Sequence, residues 1–330
     1  MKTRERIQRI LNFETPDRLP IVEWATWWDL TVNRWEGEGL PKGLSIVELQ
    51  EYFSLDLLVQ QWFAPRTEAL PPPAAHGAPI LKNLEEYEAF RKAGAIHNPD
   101  RIDFSLFDRY ADRHDAGDAV FWFTLEGFFW FPRTLLGIEP HLYAFYDQPE
   151  LLHRMNQDQV DFSLRLLERL FQKHQPEFMT FAEDLSYNHG PMLSKELFDE
   201  FLAPYYRQLL PVLQEHGVKV IVDSDGDISE CLGWFREAGI DGILPLERMA
   251  GVDVETLRNR YPEALFLGAF DKTVMHRGEA ALRREFERLM PVARKGGFIP
   301  SCDHQTPPAV SLEDYRLYLK LFREYAPQLN

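Results

Sequence analysis

The chain has 330 residues, enough for one α/β domain of barrel size and long for a single small module. Its formal charge is −16, from 52 acidic and 36 basic residues, which argues against phosphate backbones and anionic membranes as partners. Two cysteines, Cys231 and Cys302, exclude a disulfide scaffold and fit a reducing compartment.

The opening Met-Lys-Thr-Arg-Glu-Arg runs directly into a helix-like segment and has no apolar core of signal-peptide type. No stretch reaches the roughly 18 continuous apolar residues of a membrane span, so a cytoplasmic protein is expected. Residues 3–13 read as a helix, with Ile7, Ile10 and Leu11 at helical spacing. Leu19–Glu23 reads as a first short strand, followed by Trp24, Trp27, Trp28 and Trp35. A helix over 45–53 leads to a second strand, Asp56–Gln61. Residues 62–118 are less regular and read as an insertion, with a small hairpin strand at Ala78–Leu81 and a helix over Leu84–Ala93. Ala119–Thr124 is a third strand, leading into Glu126-Gly-Phe-Phe-Trp-Phe-Pro132 and a short helix around Arg133–Leu136.

Strand and helix then alternate clearly. Pro149–His174 reads as a long amphipathic helix, and Phe178–Ala182 as a fourth strand ending in Glu183-Asp184. Ser194 caps a helix that runs to about His216 with a kink at Pro204, and Gly217 closes it. Val218–Val222 is the fifth strand, which empties into Asp223, Asp225 and Asp227. The sixth strand, Gly242–Leu246, ends at Glu247; the seventh, Ala264–Ala269, at Asp271-Lys272; the eighth, Phe298–Ser301, at Cys302-Asp303-His304. Helices over 229–238, 254–261, 279–295 and 311–325 separate and close these units. The expected fold is therefore one α/β domain over 1–330, a (β/α)8 TIM barrel with an N-terminal helical extension and the 62–118 insertion. An open doubly wound sheet is disfavoured because no glycine-rich phosphate loop follows any strand.

In a parallel barrel the strand C-termini share one face, where catalytic groups sit. That rule gathers Glu23, Glu126, Glu183, Asp184, Asp223, Asp225, Glu247, Asp271, Lys272, Cys302, Asp303 and His304 on one rim. Crowded carboxylates raise one another's pKa or recruit a cation. Individually, each acid is as readily a cap or a solvated loop residue: Asp227 reads as a cap, and Glu247 as a partner of Arg248. Asp223/Asp225 and Cys302/His304 are i,i+2 pairs that point the same way on an extended strand end. Carboxylate, thiolate and imidazole together suit zinc or a comparable transition metal. Cys231, inside a helix, reads as core. Trp24, Trp27, Trp28, Trp122, Phe129 and Trp130 are candidates to wall an apolar pocket, with Glu23 and Glu126 among them, although at least half of the chain's clustered aromatics must fill the barrel and helix layer.

Five stretches carry a family resemblance: Arg4–Pro20, Glu183–Leu185 with Gly190–Pro204, Asp223–Asp227, Gly297–Pro308, and Ser311–Tyr315. Together they resemble the uroporphyrinogen decarboxylase-like superfamily of barrels over nearly the whole chain. Haem-pathway members carry an Arg-Gln-Ala-Gly-Arg-Tyr segment after the first strand. This chain has Glu23-Trp-Ala-Thr-Trp-Trp28 there, without the arginines a polyanionic porphyrinogen needs. The cobamide-dependent methyltransferase branch binds zinc through a His-x-Cys pair and a later Cys. The matching positions here are Asp223, Asp225 and Cys302, and only Cys302 keeps its ligand type. His304 with a carboxylate from Asp223, Asp225 or Glu183 would rebuild a harder, oxygen-rich site.

The resemblance implies a methyltransferase that passes a methyl group from a small, methoxylated or aromatic substrate to a separate corrinoid protein. Metal assistance would come from Asp223, Asp225, Cys302 and His304, and Glu183, Asp184 or Asp223 would do acid–base or direct catalytic work. The alternative is a cofactor-independent decarboxylase in which Asp184 or Asp223 stabilises a cationic intermediate. A non-catalytic binding protein on a barrel scaffold ranks last. A homodimer is the family expectation.

Overall fold

The strands that the sequence marks as apolar runs form one parallel sheet. The structure, a computed structural model, describes residues 1–329. Its strands are β1 (Leu57–Phe63), β2 (Ala119–Glu126), β3 (Phe178–Ala182), β4 (Ser186–Tyr187), β5 (Gly190–Pro191), β6 (Lys219–Asp223), β7 (Gly242–Leu244), β8 (Leu265–Phe270) and β9 (Phe298–Cys302). Seven of these pair side by side in parallel, in the order β1-β2-β3-β6-β7-β8-β9. β4 and β5 form a small antiparallel hairpin beside β3. Helices over Pro149–Phe171, Ala203–Glu215, Cys231–Ala238, Glu279–Ala293 and Leu312–Tyr325 alternate with the strands.

Alternation along each strand separates two faces. Phe63, Phe121 and Phe123 point outward and pack with Phe104 and Phe107, which flank and begin the helix Ser105–Asp115. Their neighbours point inward. Gln60 Nε2 donates to Thr124 Oγ1 at 2.8 Å, and the Thr124 and Thr180 hydroxyls meet at 2.8 Å. Inner polar groups on adjacent strands thus satisfy one another, as buried polar atoms require.

The expected first strand, Leu19–Glu23, is not one. The segment is extended, but its amides are used elsewhere. Leu19 N–H donates to the Ala326 carbonyl at 2.8 Å, Ile21 N–H to the Asp56 carboxylate at 2.8 Å, and Trp24 N–H to Ser301 Oγ at 3.4 Å. Pro20 supplies no donor. The sheet still curls, because this segment touches both of its edges. Asp56, just before β1, donates its N–H to the Ile21 carbonyl at 2.9 Å, while Ser301 Oγ in β9 donates to the Glu23 carboxylate at 2.9 Å. Seven strands and an unladdered strap therefore stand where eight strands were expected.

The strap is fixed by an ion-pair hub. The buried Asp56 carboxylate takes Arg6 Nη1 at 2.8 Å, Arg18 Nη1 at 2.7 Å and Thr3 Oγ1 at 2.9 Å, and Arg6 also pairs with Asp17 at 2.8 Å. The Arg4–Pro20 motif is thus structural. Other departures are local. Ala78–Leu81 is not a strand, since Ile80 and Leu81 both donate to the Leu135 carbonyl. The helix expected from Ser194 to His216 is two helices, Lys195–Phe201 and Ala203–Glu215, broken at Leu202 ahead of Pro204. Helices over Asp29–Gly37 and Ile138–Asp147 were not expected. Among the described residues, no helix is long and apolar enough to cross a membrane.

Candidate functional site

The C-terminal ends of β3, β6 and β9 bring acids together. A cleft of about 150 Å³ is lined by Trp24, Trp62, Trp130, Ala182, Glu183, Asp184, Asp223, Asp225 and His304. Asp184 follows β3 in the left-handed region, at φ 46, a conformation an Asp tolerates better than most residues. Its Oδ1 accepts the Asp225 N–H at 3.3 Å, and Arg133 Nη1 donates to its carbonyl at 2.8 Å. His304 Nε2 lies 3.5 Å from Asp225 Oδ2.

The electrostatics follow from crowding. Burial, then the neighbouring Asp225, Asp184 and Glu247, hold the Asp223 pKa well above the usual carboxylate range. Asp184 is raised too, first by burial and then by Asp225. His304 is raised because its ring bonds to the Asp225 carboxylate. Burial and crowding therefore favour the protonated forms of Asp223, Asp184 and His304, which face a cavity.

Glu183 sits behind this cluster. It is fully buried, and its carboxylate accepts N–H groups from Phe128 at 2.8 Å, Phe129 at 2.8 Å and Trp130 at 3.2 Å. The Tyr206 hydroxyl donates to the same group. Burial nevertheless pushes its pKa up to about 7. Gly127 makes room for it: a Cβ there would lie 2.1 Å from the Glu183 carboxyl carbon. Glu183 thus fixes the turn that delivers Trp130 to the cleft, where Arg133 stacks over its ring at 5.2 Å.

Of the remaining expected residues, Glu23, Trp24, Trp27 and Trp122 line a second pocket beside the cleft, and the others are dispersed. Glu23 is 5% exposed and accepts from Ser301 Oγ, Cys302 N–H and the Tyr315 hydroxyl, and burial pushes its pKa up to about 7. Trp24 lines the cleft and bonds through Nε1 to the Cys302 carbonyl at 2.7 Å. Trp27 packs in an aromatic cluster with Trp35, Phe53 and Tyr315. Trp28 is exposed and precedes the helix Asp29–Gly37. Trp122 stacks on Phe178 inside the curled sheet. Glu126 is buried and pairs with Arg66. Phe129 packs on His141 and Phe145, away from the cleft. Glu247 pairs with Lys272 at 2.8 Å rather than with Arg248. Asp227 accepts the Ser229 N–H at 3.0 Å, as a cap does.

A protein-family model for uroporphyrinogen decarboxylase (URO-D) matches residues 134–325, more than half of the chain. The chain belongs to the uroporphyrinogen decarboxylase family. No curated protein matches it significantly. Among solved structures it is similar to a methyltransferase from Methanosarcina mazei, with 14% identity, 98% of this chain and 99% of that one covered, and a TM-score of 0.66. That likeness describes a shared fold over the full length. A protein assigned as a vitamin-B12 independent methionine synthase from Listeria monocytogenes is more distant, with 12% identity, 94% and 96% coverage and a TM-score of 0.49.

The zinc set implied by the resemblance can be tested on this member's own donors. Asp223, Asp225 and His304 share the cleft, but Cys302 does not reach it. Its thiol is buried, and Sγ packs 3.7 Å from Met275 Sδ. Burial, with Glu23 and Asp303 nearby, raises the thiol well above its usual range, the opposite of what a thiolate ligand needs. Among the described residues no group of three His, Cys, Asp or Glu side chains is placed to hold a metal ion. A zinc site that includes Cys302 does not fit this geometry. Trp62 is the cleft residue the sequence reading missed. It lies one residue past the expected end of the second strand, and the alternation Leu58, Gln60, Trp62 would have placed it on the inner face.

Proposed function

We propose that this family member is a methyltransferase-type enzyme that transfers a methyl group from a small methoxylated aromatic molecule. The reading rests on one observation: three indoles, Trp24, Trp62 and Trp130, line the same cleft as Asp223, Asp225 and His304 at the strand ends. In the transfer, the methyl carbon–oxygen bond breaks and its electron pair stays on the oxygen. Asp223 gives that oxygen a proton and becomes a carboxylate. The methyl carbon bonds to a nucleophile brought by the acceptor, and the His304–Asp225 pair returns a proton to Asp223 from solvent. Proton donation of this kind contributes about 10²–10⁴-fold to rate. The expected acceptor is a corrinoid carried by a separate protein.

The family match favours decarboxylation as the second reading. The cleft lining counts against a porphyrinogen, because among the described residues no arginine or lysine lines it. A panel of methoxylated benzenes, offered with reduced free cobalamin and followed by the absorbance of methylcobalamin, tests the proposal. At least one donor is expected to react, and Asp223→Asn should lower the rate about 100-fold or more. Release of CO₂ from a pyrrole carboxylic acid, with no methyl transfer from any donor, would replace this reading with the decarboxylase.

A further inference from the structure

A second cavity lies beside the cleft, and the reaction proposed above makes no use of it. It measures about 200 Å³, and roughly 150 Å³ of apolar space is enough to hold a benzene ring. It sits where the strap 19–24 leaves β1 without a ladder, between β1 and the helices Ile46–Tyr52 and Ser105–Asp115. Trp24, Trp27, Val47, Leu106, Tyr110 and Trp122 make much of its wall apolar.

The free edge of β1 runs into this space. Along a strand, alternate residues turn both their N–H and C=O groups to the same edge. Asp56 faces the strap, since its N–H donates to the Ile21 carbonyl at 2.9 Å. Leu58 faces the same way and is served by a side chain. Its N–H donates to Gln50 Oε1 at 2.8 Å, and its carbonyl accepts from Gln50 Nε2 at 3.0 Å. The Gln50 carboxamide thus stands in for one rung of a neighbouring strand. Gln60 is the next residue to face that edge, and it lies in the cavity wall beside Leu58 and Gln50. Its side chain is spent on Thr124, and among the described residues nothing bonds to its main-chain N–H or C=O on that edge. A main-chain donor and acceptor in an apolar wall require a partner.

We infer that this cavity is a binding site for a small aromatic carboxamide. Its C=O takes the Gln60 N–H, its N–H meets the Gln60 carbonyl, and its ring packs against the apolar wall. The bond pattern of Gln50 is thereby repeated one rung further along β1. An extended peptide is disfavoured, because the rungs at Asp56 and Leu58 are already taken. Charge does not choose the occupant, since the wall holds both the exposed Arg109 and the buried Glu23. The indole N–H groups of Trp27 and Trp122 are buried out of reach and take no part. The site stands apart from the methyl-transfer reading, because occupying it requires no turnover.

Benzamide and acetophenone make a matched pair of probes, alike in size and in the carbonyl but differing in the N–H donor. Isotopic labelling of glutamine and leucine amides lets NMR follow Gln60 and Leu58 separately during titration. Benzamide is expected to bind about tenfold more tightly than acetophenone. At saturation it should slow hydrogen exchange of the Gln60 amide about tenfold or more and leave that of Leu58 unchanged. Benzoate should bind more weakly than benzamide, because it brings no donor to the Gln60 carbonyl. Asp223→Asn, in the neighbouring cleft, should leave benzamide affinity unchanged. Equal affinity of benzamide and acetophenone, or an unchanged Gln60 amide in saturating benzamide, would overturn the assignment. Tighter binding of benzoate would replace it with an anion site at Arg109. Loss of benzamide binding in Asp223→Asn would move the probe to the acid cleft, and no binding of any probe would leave the Gln60 pair to solvent.

Discussion

His304 Nε2 stands 3.5 Å from Asp225 Oδ2, so an imidazole after β9 is tied to a carboxylate after β6. The pair joins two strands that are not neighbours in the sheet. Its hydrogen bond raises the His304 pKa. In Asp225→Asn that partner charge is gone, and the imidazole should titrate at lower pH than in the native protein. An NMR pH titration of the His304 ring proton measures the difference. Identical midpoints in the two proteins would show that the pair does not form in solution.

Glu23 couples the strap to pH. Its pKa is pushed up to about 7 by burial, against an ordinary 4.5. A carboxyl raised in the folded state contributes stability that is complete below about 4.5 and is lost as pH rises through about 7. Glu23→Gln keeps a carbonyl oxygen for Ser301 and Cys302 and offers an amide to the Tyr315 oxygen. The variant should therefore match the native protein near pH 4.5 and exceed it above pH 7, by up to about 3 kcal/mol. Urea denaturation across that range reads the effect.

Gly127 and Glu183 form a second linked pair. Gly127→Ala would set a Cβ against the Glu183 carboxyl and should cost about 3 kcal/mol or more. Glu183→Ala should cost a similar amount, because it strands the N–H groups of Phe128 and Phe129. The double variant should lose less than the sum, since removing the carboxylate makes room for the new methyl. A double-mutant cycle by urea denaturation measures the coupling, and strict additivity would show that the two sites are independent.

Cys302 should behave as an inert core thiol. Alkylation by iodoacetamide at neutral pH is expected to be negligible in the folded protein and rapid in denaturant, for Cys302 and for the equally buried Cys231. Cys302→Ser should not change the zinc content of protein purified without a tag. A fall in zinc on that substitution would restore Cys302 as a ligand.

Much of the site was legible because carboxylates that end apolar strands stand out by alternation. Asp223, Asp225 and His304 were read that way, and they share one cleft. What the alternation could not convey is depth. Cys302 and His304 are two apart, yet the thiol turns into the core against Met275 while the imidazole meets Asp225. The i,i+2 rule holds only while the backbone stays extended, and the chain bends after Cys302. The first strand misled for a related reason. Its apolar pattern is real, but a strand needs a ladder, and its donors bond to side chains and to Ala326. The helix Ile138–Asp147 was invisible because its fully buried face includes His141, whose ring nitrogens have no partners and which packs against Phe129 and Phe145.

The strap also determines how the wall can open. Parting two strands elsewhere in the sheet means breaking a row of backbone bonds together, which is a cooperative event. Along 19–24 the attachments are dissimilar single bonds: Ile21 N–H to the Asp56 carboxylate, Ser301, Cys302 and Tyr315 to the Glu23 carboxyl, Trp24 to Ser301 and Cys302, and one main-chain bond each with Ala326 and Asp56. Loosening here would proceed bond by bond, against the Asp56 hub and the buried Leu19, Ile21 and Val22, while the seven laddered strands remain zipped.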